Sequence, residues 1–179
     1  MASVKTTVTG RLINNAVFSP KINDVNGKEQ FSALLVLDPG EDRKIEAARD
    51  KALDETFEGK VPSNVNDWTV RVGDDDEYET TFEKKFINAK HVKAPRVVTR
   101  ENGELRDVSP DEGLIYAGCN VAVSIDVYAY KKNTEKKIPA GVTIGLRAVM
   151  FKSHNDPLGS GRASDDEFDG IESADDLEL

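Results

Sequence analysis

Residues 119–130 alternate strictly: Val121, Val123, Ile125, Val127 and Ala129 are separated by Asn120, Ala122, Ser124, Asp126 and Tyr128, and Tyr130 follows. A period of two predicts a strand with one buried face. Residues 138–151 repeat the pattern. Ile138, Ala140, Val142, Ile144, Leu146, Ala148 and Met150 fall on one side, and Gly141, Thr143, Gly145, Arg147, Val149 and Phe151 on the other. Between them lies the lysine-rich run Lys131-Lys132-Asn133-Thr134-Glu135-Lys136-Lys137, so the pair reads as a long hairpin. Its outer face would offer Tyr128, Tyr130, Arg147 and Phe151, with glycines leaving room above the sheet. Aromatics and cations on an open sheet face suit stacking of single-stranded nucleic acid. They equally suit packing against another element.

The rest of the chain is also strand-rich. Residues 4–13 alternate, with Gly10 placed where a bend or bulge is expected. Residues 14–28 read as a polar loop containing Pro20 and the turn dipeptide Asn26-Gly27. Residues 30–38 are apolar on both faces, which predicts a central strand. Asp38-Pro39-Gly40-Glu41 then predicts a helix start, with Asp38 as N-cap. Ile45, Ala48, Ala52, Leu53 and Phe57 form its apolar stripe, and Gly59 ends it. Its cations, Arg43, Lys44, Arg49 and Lys51, read as a solvated face.

Residues 60–79 carry no period and include Pro62, Trp68 and the acidic run 74–77. Strand character returns over 82–92, where Lys84, Lys85, Lys90, His91 and Lys93 surround Phe86 and Asn88. A hairpin is expected around Asn102-Gly103. Residues 111–118 form a connector holding Tyr116. Regular structure is expected to end after Phe151. Residues 156–162 read as a linker, and the remainder as a disordered tail.

Charge changes the picture once it is located. The chain of 179 residues has a net charge of −9. Residues 164–179 hold eight carboxylates and no Lys or Arg; without them 24 basic residues face 25 acidic ones, a net charge of −1. A nearly neutral body can still carry a basic stripe. Cys119 is the single cysteine, which precludes an intramolecular disulfide and suits a cytosolic setting as a small apolar filler. No apolar run reaches the roughly 20 residues needed to cross a bilayer, and Met1-Ala2-Ser3-Val4-Lys5 has no leader pattern. Phosphate-loop, nucleophile-elbow and paired-cysteine motifs are all missing, and His91 and His154 have no triad partner in sequence. The acids at 74–77 lack a regular metal-ligand spacing.

Several segments, in order, resemble a known family. They are the region 10–20, the strand 31–38 with its helix, and Phe86-Ile87-Asn88-Ala89-Lys90 followed by Pro95-Arg96-Val97-Val98. Tyr116-Ala117-Gly118-Cys119 then leads into a strand ending Tyr128-Ala129-Tyr130, and Ala140-Gly141-Val142 leads to Gly145-Leu146. Asp156-Pro157-Leu158-Gly159 precedes Asp165-Asp166-Glu167-Phe168. Together they resemble the tailed-phage single-stranded-DNA-binding proteins with an OB-fold and an acidic C-terminal tail. Residues 57–84 depart from that pattern, and the tail runs eleven residues past Phe168.

The expected fold is therefore mainly β: an OB-fold-type five-stranded barrel with one helix, long loop insertions and a disordered acidic tail. Residues 1–155 would form the DNA-binding domain, and 156–179 the linker and tail. The resemblance implies a non-enzymatic, cofactor-free protein that coats single strands during phage replication or recombination, in the cytoplasm of the infected host. DNA contacts are expected from Lys84, Lys85, Phe86, Asn88, Lys90, His91, Lys93, Arg96, Tyr116, Tyr128, Tyr130, Lys131, Lys132, Arg147 and Phe151. The tail would compete for the groove and recruit a phage polymerase or other replication protein through Asp165, Asp166, Glu167, Phe168, Asp175, Asp176, Leu177 and Leu179. No membrane partner is expected, and a homo-oligomer is left open. Two rival readings remain: a scaffolding β-protein of a virion, and a metal-dependent nuclease built on Asp74–Glu77.

Overall fold

The alternation of residues 119–130 becomes strand β8 (Asn120–Tyr130), in which Val121, Val123, Ile125, Val127 and Ala129 are all fully buried. In the computed structural model, which describes residues 2–24, 26–73 and 84–158, this strand sits between β1 (Ser3–Ile22) and β9 (Gly141–Ser153), antiparallel to both. The far edge of β1 pairs with β2 (Glu29–Leu37), and β2 pairs with β5 (Lys85–His91). β5 then meets β9 in parallel at Lys90 and Gly145. The order β1-β2-β5-β9-β8 closes into a five-stranded barrel of the expected OB type. Among the described residues α1 (Asp42–Thr56) is the one α-helix.

Gly10 lies where β1 is paired on both edges, with Leu37 and Val121. A Cβ there would fall 2.1 Å from the Val36 carbonyl oxygen, so only glycine permits this approach of the two backbones. β1 does not end near Ile13. It continues to Ile22, with Asn14, Asn15 and Ala16 opposite Leu34, Ala33 and Ser32. Asn14, Asn15 and the Ser19-Pro20 pair hid this half, in which Ala16 and Val17 are buried. The register breaks between Ala16 and Lys21, and Pro20 falls in that break, where it owes the ladder no N–H. The chain reverses at Asn26-Gly27 as expected; Gly27 has φ 70° and donates to the Asn23 carbonyl at 2.7 Å.

The helix starts later than its sequence signals suggest. Glu41 occupies the N-cap position and makes no side-chain cap bond. Asp38 instead ties the approach to β1: its N–H donates to the Thr9 carbonyl at 3.0 Å, and Thr9 Oγ1 lies 2.7 Å from both Asp38 Oδ2 and Glu41 Oε1. The predicted stripe of Ile45, Ala48 and Ala52 is buried in the barrel core, and Glu58 and Gly59, both with positive φ, end the helix.

β9 corrects the predicted hairpin in two ways. The strand begins at Gly141, not at 138; Asn133 and Ile138 form a small bridge inside the lysine-rich loop. Its parity also switches. Ile125 is opposite Leu146 and Ser124 opposite Ala148, which leaves Arg147 as an extra residue. Such a bulge moves every later side chain to the other face. Val142, Ile144 and Leu146 point to the core before it, and Val149 is fully buried after it. Phe151, paired with Val121, therefore packs against the core and not on the outer face with Tyr128 and Tyr130.

Two of the remaining strands use the second edge of β9. β3 (Asn66–Asp67) pairs with Gly141 and Val142, and β6 (Arg96–Glu101) with residues 148–151, both in parallel. β4 (Arg71–Val72) pairs with the start of β5. β7 (Glu104–Asp107) forms a hairpin with β6 about Asn102-Gly103, and the turn Pro110–Glu112 follows. Residues 156–158, read as linker, rest on the barrel: Arg11 Nη2 donates to the Asp156 carbonyl at 2.5 Å, and Leu158 N–H to the Ala117 carbonyl at 2.9 Å.

Candidate nucleic-acid interface

On the outer face of β8 and β9, Tyr130 is opposite Gly141, Tyr128 opposite Thr143 and Asp126 opposite Gly145. The two glycines leave space into which the tyrosine rings settle. Tyr128 Cε1 lies 3.6 Å from where a Cβ of Gly145 would be. Burial pushes the Tyr128 phenol pKa up, and the neighbouring Tyr130 adds to the shift. Gly145 also meets Lys90, so the face continues across the barrel closure to Asn88 and Lys90 on β5 and to Ser32 on β2.

A cleft of about 290 Å³ opens on this face. Tyr128, Thr143 and Ile144 line one part of it, and Asn88 and Lys90 another. The tip of the β1–β2 hairpin contributes Asn23, Asn26 and Gln30, the segment between β3 and β4 contributes Trp68, and β4 contributes Arg71. A second cleft of about 310 Å³ adjoins it, sharing Asn23, Gln30, Asn88 and Lys90 and adding Lys21 and Ser32.

Trp68 is 47 % exposed, and the Arg71 guanidinium carbon lies 5.0 Å from its ring centroid. The segment is firmly held. Trp68 N–H donates to the Val142 carbonyl at 2.9 Å. Asp67 Oδ1 accepts the Thr69 N–H and hydroxyl, while Asp67 Oδ2 accepts from Arg49 Nη1 on α1 at 2.9 Å. Sequence reading missed Trp68, Arg71, Asn23, Asn26, Gln30 and Thr143 as site residues. A lone tryptophan in a polar stretch, three residues before an arginine, was the one available signal.

The predicted residues divide into groups. Asn88, Lys90, Tyr128 and Tyr130 share the face just described. Arg147 stands at the bulge, its Nη1 3.2 Å from Asp126 Oδ2, while Asp126 Oδ1 is buried without a partner among the described residues. Lys131 and Lys132 are exposed where the chain leaves Tyr130. Phe86 lies on β5 opposite Val36 and Arg71.

Other predicted residues lie elsewhere. Lys84 and Lys85 are at the opposite end of β5 from Lys90. Lys85 Nζ pairs with Asp42 Oδ2 at 2.6 Å, which raises the lysine pKa and lowers that of the carboxyl. Arg96 pairs with Asp107 at 3.1 Å. His91 Nδ1 accepts the Lys93 N–H at 2.9 Å. Tyr116 and Phe151 form a cluster with His154 at the far end of β9, with ring centroids 5.8 and 4.8 Å from the imidazole. The Tyr116 hydroxyl lies 2.9 Å from His154 Nδ1 and 3.0 Å from the Asn155 carbonyl oxygen. The tail residues and Asp74–Glu77 lie outside the described residues. Among the described residues, no three His, Cys, Asp or Glu side chains are grouped to hold a metal, and no helix is long and apolar enough to cross a membrane.

The fold has solved counterparts. The single-stranded DNA-binding protein from bacteriophage Enc34, in complex with ssDNA, superposes with a TM-score of 0.66 at 19% identity, covering 88% of this chain and 89% of that one. Gp2.5, a single-stranded DNA-binding protein encoded by bacteriophage T7, superposes with a TM-score of 0.56 at 18% identity, covering 97% of each chain. Protein p50 of Acyrthosiphon pisum secondary endosymbiont phage 1 is 30% identical over 126 residues. That match takes in 70% of this chain and 64% of p50, so the chain spans a little under two thirds of that relative's length. The sequence also matches one protein family over residues 2–178, nearly its whole length. By sequence, then, the chain belongs to the family of the Enterobacter phage Enc34 ssDNA-binding protein.

Proposed function

We propose that this chain binds single-stranded DNA with little sequence preference, by phosphate neutralisation and base stacking. One observation carries the reading: Tyr128, Tyr130 and Trp68 lie on the same barrel face as Lys90 and Arg71, in and beside one cleft. Aromatic planes bind bases, and the cations beside them bind the backbone. Asn88, Arg147, Lys131 and Lys132 extend this surface. Lys85, Arg96 and Arg147 are already engaged with Asp42, Asp107 and Asp126 and contribute less.

In this reading residues 1–155 are the binding domain and 156–179 the linker and acidic tail. The tail competes for the basic groove and, once displaced, offers Phe168, Leu177 and Leu179 to a replication partner. The protein acts without catalysis on exposed strands during phage replication or recombination, in the cytoplasm of the infected host. Self-association would extend the coat along the strand. A gel shift with oligo(dT) in magnesium tests the core of it. A stable complex with intact oligonucleotide is expected, and the Tyr128→Ala, Tyr130→Ala double variant should bind at least about tenfold more weakly. Cleavage would favour the nuclease reading, and no binding the scaffold reading.

A further inference from the structure

The cleft beside Trp68 has a hydrogen-bonding bias. Gln30 Oε1 is taken by Asn23 Nδ2 at 2.9 Å, and Asn26 Oδ1 by the Lys28 N–H at 2.9 Å. Each amide oxygen thus already accepts one hydrogen bond from the protein, while both amides present N–H groups for further bonding. Lys90 and Arg71 add an ammonium and a guanidinium, neither ion-paired among the described residues, and both groups only donate. Asn88 and Thr143 can serve either role. Of the carboxylates nearby, Asp24 lines the adjoining cleft and Asp126 lies opposite Gly145 on β8, and neither lines this one. The wall is rich in donors, and Trp68 and Tyr128 supply ring surfaces beside it.

Resting on the single-strand reading above, we propose that this cleft receives one nucleotide base-first and selects a keto base, thymine or guanine, over adenine and cytosine. Thymine O4 and guanine O6 and N7 are acceptors, which the donors of the cleft can meet. Adenine N6 and cytosine N4 carry amino donors at the equivalent position, and an N–H facing an N–H leaves both unpaired. The remaining bases stack without being read, so the preference sets the register of the strand at one position and leaves the rest of the sequence free.

The test uses the full chain and oligocytidines that carry a single central thymine, guanine or adenine. Binding is followed by anisotropy of the labelled strand and by the emission of Trp68, the only tryptophan of the chain. Thymine and guanine should bind about fivefold tighter than adenine, with a change in Trp68 emission. In the Gln30→Met, Lys90→Met double variant the thymine-to-adenine ratio should fall to one, whatever its overall affinity. Equal affinity for all three oligonucleotides in the unmodified protein overturns this inference and leaves single-strand binding standing. A ratio that survives in the variant, or binding without any change in Trp68 emission, overturns the assignment to this cleft. Failure of every oligonucleotide to bind overturns the single-strand reading itself.

Discussion

The ring of Tyr130 lies across its strand partner Gly141, so closely that a Cβ on the glycine would fall 2.4 Å from the tyrosine Oη and 3.0 Å from the Asn66 carbonyl oxygen. One substitution thus probes both the stacking face and the anchor of the Trp68 segment. Gly141→Ala should displace Tyr130 and strain the pairing of β3 with β9. The expected cost is about 1–3 kcal/mol of stability, read by thermal melting. Oligo(dT) affinity should fall by up to about tenfold. A folded variant with unchanged affinity would show that the position of Tyr130 does not matter to binding.

The cations of the face should make affinity depend on salt. Each phosphate contacted contributes a slope of about −0.7 in log K against log salt for single strands. Lys90→Met and Arg71→Met should each reduce the slope by about that amount, whereas Arg96→Met, whose guanidinium already pairs with Asp107, should leave it nearly unchanged. A slope of zero in the unmodified protein would remove phosphate neutralisation from the mechanism.

The acidic tail gives a competition test. Residues 164–179 carry eight carboxylates, and a tethered chain of that charge would act at high effective concentration on a basic groove. Removing residues 164–179 should tighten single-strand binding at low salt, enhance duplex binding more, and abolish capture of a replication partner. Identical affinities for both DNA forms across a range of salt would reduce the tail to a solubilising appendage.

Acid should loosen the start of α1. Lys44 at 2.7 Å holds the Glu41 carboxyl below the usual carboxylate range, and Lys85 does the same for Asp42. A carboxyl whose pKa is lower in the folded than in the unfolded state contributes stability above its ordinary value of about 4. That contribution is lost as pH falls through the lower, folded value. The melting-temperature gap between the unmodified protein and Lys85→Met should therefore be present at neutral pH and close on acidification. A gap that stays constant down to about pH 2 would assign the role of Lys85 to packing alone.

The sequence made the barrel legible where one rule applied along a whole strand. The buried set of β8 follows period two without interruption, and the stripe Ile45, Ala48, Ala52 follows the helical one. It failed where geometry depends on partners. Arg147 is an ordinary residue in composition, yet as the bulge it reverses the facing of Phe151. Residues 14–22 open on two asparagines and contain Pro20, yet β2 holds most of them as strand. Trp68 reaches the site because two residues beside it pair with Gly141 and Val142, more than seventy positions away, and no local period records such a contact.

The single register pair between Lys90 and Gly145 makes the barrel a staved vessel with one thin seam. Every other joint of the ring is a ladder of at least six register pairs. Transient opening should begin there, and amides of β5 near Lys90 should exchange with solvent sooner than those of β8. Both residues of the seam lie on the face assigned to the nucleic acid. A strand laid over that face would act as a removable staple across the joint, so the protein should become harder to unfold as single-stranded DNA accumulates.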